Sequence, residues 1–110
     1  MTGDINGLAP TFLAELQELE HDLGFPLTVT SGRRDPDHNT GVGGVRNSAH
    51  LEDPCYAADL AVRGGYERYA IVYRAIERHF KRIGVGKRFV HLDRSHTLPS
   101  PVIWGYDHDG

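Results

Sequence analysis

Ala57-Ala58-Asp59-Leu60-Ala61-Val62 is the stretch on which the fold turns. Read as a strand, it puts Ala58, Leu60 and Val62 on one face and Asp59 on the other. An aspartate inside an apolar strand is costly unless its charge is paired or coordinates a metal. Phe89-Val90-His91-Leu92-Asp93 has the same character. It is an apolar strand whose His91 and Asp93 share a face, because they lie two residues apart.

Working outward, Pro10 to Leu23 predicts a helix. Phe12, Leu13, Leu16, Leu19 and Leu23 recur at three- and four-residue steps, with Glu15, Glu18 and Glu20 on other faces. Pro10 suits a helix start and Gly24 a C-terminal cap. Leu27 to Thr30 reads as a short strand. Ser31 to Ser48 is rich in Gly, Asn, Asp and Pro, and a loop of that length in a small domain is usually functional.

Tyr66 to Phe80 predicts a second helix, with Tyr69, Ile71, Val72, Ile76 and Phe80 as its apolar positions. Ile83 to Gly86 and Arg88 to Asp93 read as strands joined tightly at Gly86-Lys87. Val102-Ile103-Trp104 follows Pro99 and Pro101 as an edge strand or packed arm. Helices and strands mix without βαβ regularity, so the class expected is α+β: one domain over residues 1–110, two main helices and a mainly antiparallel sheet.

Composition narrows the function. The chain has 110 residues, which suits one domain with a modest core. A net charge of -3 argues against a whole-protein attraction to nucleic acid or an anionic membrane. The basic run Lys81-Arg82 with Lys87-Arg88 reads as the solvated end of a helix and a turn. A single cysteine, Cys55, allows no internal disulfide. No signal peptide is read at Met1-Thr2-Gly3-Asp4, and no apolar run approaches the roughly 20 residues that cross a bilayer.

Seven histidines are present. His21 and His79 have charged neighbours on helices, and His38, His96 and His108 fall in loops or the tail, so exposure is their default. His50 and His91 differ. His50 closes Asn47-Ser48-Ala49-His50, nine residues before Asp59, and His91 sits in its apolar strand. The ordinary fate of such a histidine is a hydrogen bond to a carbonyl or carboxylate. The other is metal ligation: two imidazoles and one carboxylate suit zinc and leave a fourth position open, as catalytic sites do. Water held there has a pKa of roughly 7 and is a nucleophile at neutral pH.

Thr30-Ser31-Gly32-Arg33-Arg34, Asn39, Val42-Gly43-Gly44-Val45, Asn47-Ser48-Ala49-His50, Ala57-Ala58-Asp59-Leu60 and Gly84-Val85-Gly86 through Phe89-Val90-His91-Leu92-Asp93 together resemble the M15 zinc peptidases. That family includes D-alanyl-D-alanine carboxypeptidases, dipeptidases and phage endolysins, and shares a fold with the hedgehog signalling domain. The tail Trp104-Gly105-Tyr106 is similar to that of short phage and bacterial members. The resemblance implies one zinc ion held by His50, Asp59 and His91. It implies that Arg34, from the Ser-Gly-x-Arg motif, and Ser48 contact substrate, with Arg34 also steadying the reacting group.

Three departures stand out. Eight residues rather than six separate His50 from Asp59. Arg33 stands where tyrosine is common. Arg88 stands three residues before the last histidine, where several branches place a general base, and arginine cannot act as one. Asp93 is the substitute candidate, either carrying the proton or orienting a ligand histidine. Cys55 reads as a loop thiol.

The expected function is zinc-dependent hydrolysis of an amide in a peptidoglycan stem or cross-link peptide, by a monomer with no nucleic-acid or membrane partner. The source expected is a phage or prophage, with delivery to the cell wall or a place in the virion. The alternatives are a non-catalytic zinc-binding module and a structural component of a phage particle.

Overall fold

Apolar alternation in the central strands builds a sheet, and two amphipathic helices supply the core that covers it. The computed structural model describes residues 1–33, 49–51 and 55–106. In chain order the elements are β1 (Thr2–Gly3), α1 (Pro10–Leu23), β2 (Thr28–Ser31), a 3₁₀ turn (Ala49–Leu51), β3 (Ala57–Ala61), α2 (Gly65–Glu77), β4 (Arg82–Val85), β5 (Phe89–Asp93) and β6 (Val102–Gly105). The six strands form one mixed sheet in the order β1-β2-β3-β5-β4-β6. The three central pairings are antiparallel, and the outer pairs β1–β2 and β4–β6 are parallel. This is the α+β architecture expected from sequence. β1 was not anticipated, since two residues carry no readable period.

Helix α1 matches its predicted span. Phe12, Leu16 and Leu19 are fully buried, one stripe at helical spacing. Gly24 ends it in the left-handed conformation, φ 76°, where a glycine carries no Cβ penalty. Helix α2 departs from expectation. Ile71 and Ala75 carry its buried face, while Tyr69 and Ile76 are exposed. The helix stops at Glu77 because His79 turns left-handed, φ 64°. The amide of His79 then donates to the Ile76 carbonyl (2.9 Å) and that of Phe80 to the Ala75 carbonyl (3.0 Å). This is a Schellman closure with histidine in the usual glycine place. It swings Phe80 back into the core, edge-on to Phe12 with ring centroids 6.4 Å apart.

Register is what positions a site. Ser31, Asp59, His91, Gly84 and Trp104 are successive partners in a row across five strands. The neighbouring row holds Val29, Leu60, Val90 and Val85. Because faces alternate, Leu60 and Val90 join the helices in the core, and Asp59 and His91 face the other way. Gly84 leaves room for what lies over it. A Cβ there would stand 2.7 Å from the Tyr106 hydroxyl and 2.8 Å from two atoms of the Trp104 indole.

Two outcomes follow. Phe12→Ala, which empties a fully buried site in contact with Phe80 and Tyr56, should lower unfolding free energy by about 3–5 kcal/mol, read from urea denaturation. Gly84→Ala should displace the indole, shifting the emission of the chain's single tryptophan. An unaltered spectrum would contradict the close packing at Gly84.

Candidate metal centre

Asp59 and His91 are direct cross-strand partners on β3 and β5, and His50 reaches them from the 3₁₀ turn. All three are buried. His50 Nδ1 lies 2.6 Å from the Gly32 carbonyl oxygen. A carbonyl only accepts, so Nδ1 donates there and Nε2 is the nitrogen turned toward Asp59. That Nε2 lies 3.2 Å from Asp59 Oδ1. His91 is held in the mirror sense: its Nε2 is 2.6 Å from Asp93 Oδ2, and its Nδ1 is 2.9 Å from Asp59 Oδ1. The two rings meet edge-on with centroids 5.0 Å apart.

Three donor atoms, two imidazole nitrogens and one carboxylate oxygen, thus come within 4.8 Å of one another. Ligands at the usual zinc distances in a tetrahedron stand about 3.3 Å apart, so this cluster could close on an ion with small adjustments. The chemistry of the set fits as well. Each histidine has its far nitrogen occupied by an acceptor, as metal-binding histidines almost always do.

Charge in the cluster is strongly coupled. Burial disfavours an ionised Asp59, but hydrogen bonds and positive charge from His50 and His91 hold its carboxyl far below the usual range. Burial likewise works against a charged His91, yet hydrogen bonds to Asp59 and Asp93, and their charges, raise its pKa. At Asp93 burial is outweighed by hydrogen bonds from His91 and the Ser95 amide and by the His91 and Arg82 charges, so its pKa is lowered.

Asp93 sits behind His91, at the ring nitrogen turned away from Asp59. Its side chain is wholly buried and both oxygens are engaged: Oδ2 with His91, Oδ1 with Arg82 Nε (2.8 Å) and the Ser95 amide (2.9 Å). It holds the outer nitrogen of a candidate ligand histidine, the contact that the orienting role read in the sequence calls for. Arg34 and Ser48 lie outside the described residues, as do His38 and His108. His21, His79 and His96 are exposed. Arg88 is exposed too. Cys55, read as a loop thiol, is fully buried, in a backbone β-bridge with Leu8 and with Sγ 3.5 Å from the Ala57 carbonyl oxygen.

Arg82 corrects the reading of Lys81-Arg82 as a solvated helix end. It lies on β4 with its side chain only 12% exposed. The Gly86-Lys87 turn sets Arg82 opposite Asp93, and counting back from that hairpin would have found the pair. Trp104, 5.5 Å from the His91 ring, was legible only as a tail aromatic, because its partner β4 is parallel and remote in register from any turn.

The family model described as Peptidase M15 matches residues 2–93. No curated protein matches the chain.

A zinc ion held by His91 would have to displace the proton that the raised pKa leaves there in the metal-free protein. Its affinity should therefore climb with pH through a range above the ordinary value of about 6.5, then level off. A raised histidine pKa stabilises the metal-free fold below the unfolded value and is lost as pH rises through the folded one. The rise in Tm on adding zinc should accordingly be larger at about pH 8 than at about pH 6. Zinc titrations independent of pH would contradict this.

Proposed function

The chain belongs to the M15 peptidase family, whose members are zinc-dependent peptidases, and from that premise we propose that it hydrolyses an amide bond in peptidoglycan stem or cross-link peptides. The observation that carries the reading is the convergence of His50 Nε2 and His91 Nδ1 on one oxygen of Asp59. The peptidoglycan substrate, and D-alanine at the cleaved bond, rest on the motifs Ser31-Gly32-Arg33-Arg34 and Ser48-Ala49-His50. A phage- or prophage-encoded protein delivered to the cell wall fits the same resemblance.

His50, Asp59 and His91 would hold the ion. When bound, zinc supplies a Lewis acid for the scissile carbonyl and lowers the pKa of water. The protein's part is fixed by its hydrogen bonds. Gly32 holds His50 by Nδ1, and Asp93 holds His91 by Nε2, so neither ring must turn to offer its lone pair. The row neighbours Gly84 and Trp104 border His91 on one side with an indole, an apolar wall that limits water there. Arg34 and Ser48 are assigned to substrate by family likeness, the guanidinium suiting a peptide carboxylate or a polarised carbonyl. Asp93 orients rather than carries the proton, since its two oxygens are taken.

Arg88 in place of the usual acid favours a second reading, a zinc-binding module without turnover. One experiment separates them. Zinc-loaded protein is incubated with a synthetic stem peptide and with purified peptidoglycan, and released fragments are identified by mass spectrometry. Release of D-alanine or of a cut cross-link is expected, with loss of at least about 1,000-fold for His50→Ala and His91→Ala, by analogy with removal of a principal electrostatic group. Stoichiometric zinc with no turnover of either substrate would support the module instead.

A further inference from the structure

Arg82 is held by three kinds of contact beside the metal-ligand cluster. Its Nε donates to Asp93 Oδ1 at 2.8 Å and its Nη1 donates to the Pro99 carbonyl. Its guanidinium carbon stands 5.0 Å from the centre of the Trp104 ring. That indole is itself seated over Gly84 and lies 5.5 Å from the His91 ring. The guanidinium is thus fixed by a carboxylate, a carbonyl and an aromatic face. Arg78, by comparison, holds Glu18 and Asp22 at the helix pair, away from this cluster.

The consequence lies in how Asp93 is oriented. A carboxylate rotates in a broad, roughly two-fold well, so nothing intrinsic to Asp93 aims one oxygen at a neighbour. Arg82 and the Ser95 amide both take Oδ1, which leaves Oδ2 directed at His91 Nε2, 2.6 Å away. With Nε2–H committed to that oxygen, Nδ1 is the nitrogen turned toward Asp59. A buried ion pair is weak evidence for stability, because desolvation offsets much of its attraction. Here the pair ends on a ring that is a candidate ligand, which a purely structural bridge has no need to do.

We propose that Arg82 is a positioning residue of the metal centre, acting through Asp93 to fix the ring orientation and tautomer in which His91 offers Nδ1 to the ion, with Trp104 and the Pro99 carbonyl holding Arg82 in place. The inference rests on the reading of His50, Asp59 and His91 as zinc ligands. It adds a third layer to the site, drawn from β4 and the segment leading to β6. Metal affinity becomes sensitive to residues that never touch the ion, and outer partners of this kind typically contribute about 10–100-fold.

The test measures zinc affinity by chelator competition and the visible absorption of the cobalt(II)-loaded protein, in the full chain. Arg82→Ala should weaken zinc binding by about 10–100-fold and alter the cobalt bands, since the ligand ring is no longer held. Arg82→Lys, which keeps charge but cannot bridge Asp93 and Pro99 with a planar fork, should fall between it and the original. Arg78→Ala should leave affinity and spectrum unchanged, which separates positioning from general loss of ion pairs. If Arg82→Ala does not fold, as judged by circular dichroism, the near-isosteric Asp93→Asn carries the test with the same expected loss. Original affinity and spectrum in folded Arg82→Ala, or in Asp93→Asn, would overturn the inference while leaving the zinc site standing. An unsubstituted chain that takes up no zinc, and behaves like Asp59→Ala, would overturn the site itself and the inference with it.

Discussion

A carboxylate placed opposite an imidazole in the middle of a sheet governs this structure. Asp59 and His91 are register partners on β3 and β5, buried, on the face turned from the helices. Moving β3 by one residue would turn Asp59 into the core and bring Leu60 out, and moving β5 by one would do the same with His91 and Val90. The hydrophobic row and the polar row therefore fix one another. The helices need Leu60, Val90 and Leu92 on their side, and that requirement delivers Asp59, His91 and Asp93 to the other.

Burying so many ionisable groups together demands compensation, and the molecule supplies it in sequence. Asp59 faces two histidines, Asp93 faces His91 and Arg82, and Arg82 faces Trp104 and a carbonyl. Among the described residues no buried side-chain nitrogen or oxygen is left without a partner. The same network prepares the centre for a cation. It draws negative charge onto Asp59 and leaves each histidine with its outer nitrogen already bonded, so little reorganisation is needed on binding.

Much of this was legible in the sequence. The span of α1 follows from Phe12, Leu16 and Leu19 and from the cap at Gly24. Asp59 and His91 drew notice because polar residues in apolar strands must be accounted for, and the resemblance to the family joined His50 to them as a ligand. Other features hid. Helix α2 was read too long, since nothing local tells that His79 turns left-handed and recruits Phe80. Its apolar positions misled in part for a related reason: Tyr69 and Ile76 look apolar by type but lie exposed. Arg82 was hidden by its neighbour Lys81, because two adjacent basic residues suggest a solvated surface unless the strand's alternation is followed. Arg34 and Ser48 lie outside the described residues, so their roles rest on resemblance alone.

The central claim is that two imidazoles and one carboxylate share a single zinc ion and leave a coordination position open. X-ray absorption at the zinc edge, on protein loaded with one equivalent, tests it most directly. The expected spectrum shows only nitrogen and oxygen scatterers at about 2.0–2.1 Å, with the outer-shell pattern of two histidines and one exchangeable light atom. A sulfur contribution at about 2.3 Å, or fewer than two imidazoles, would contradict it.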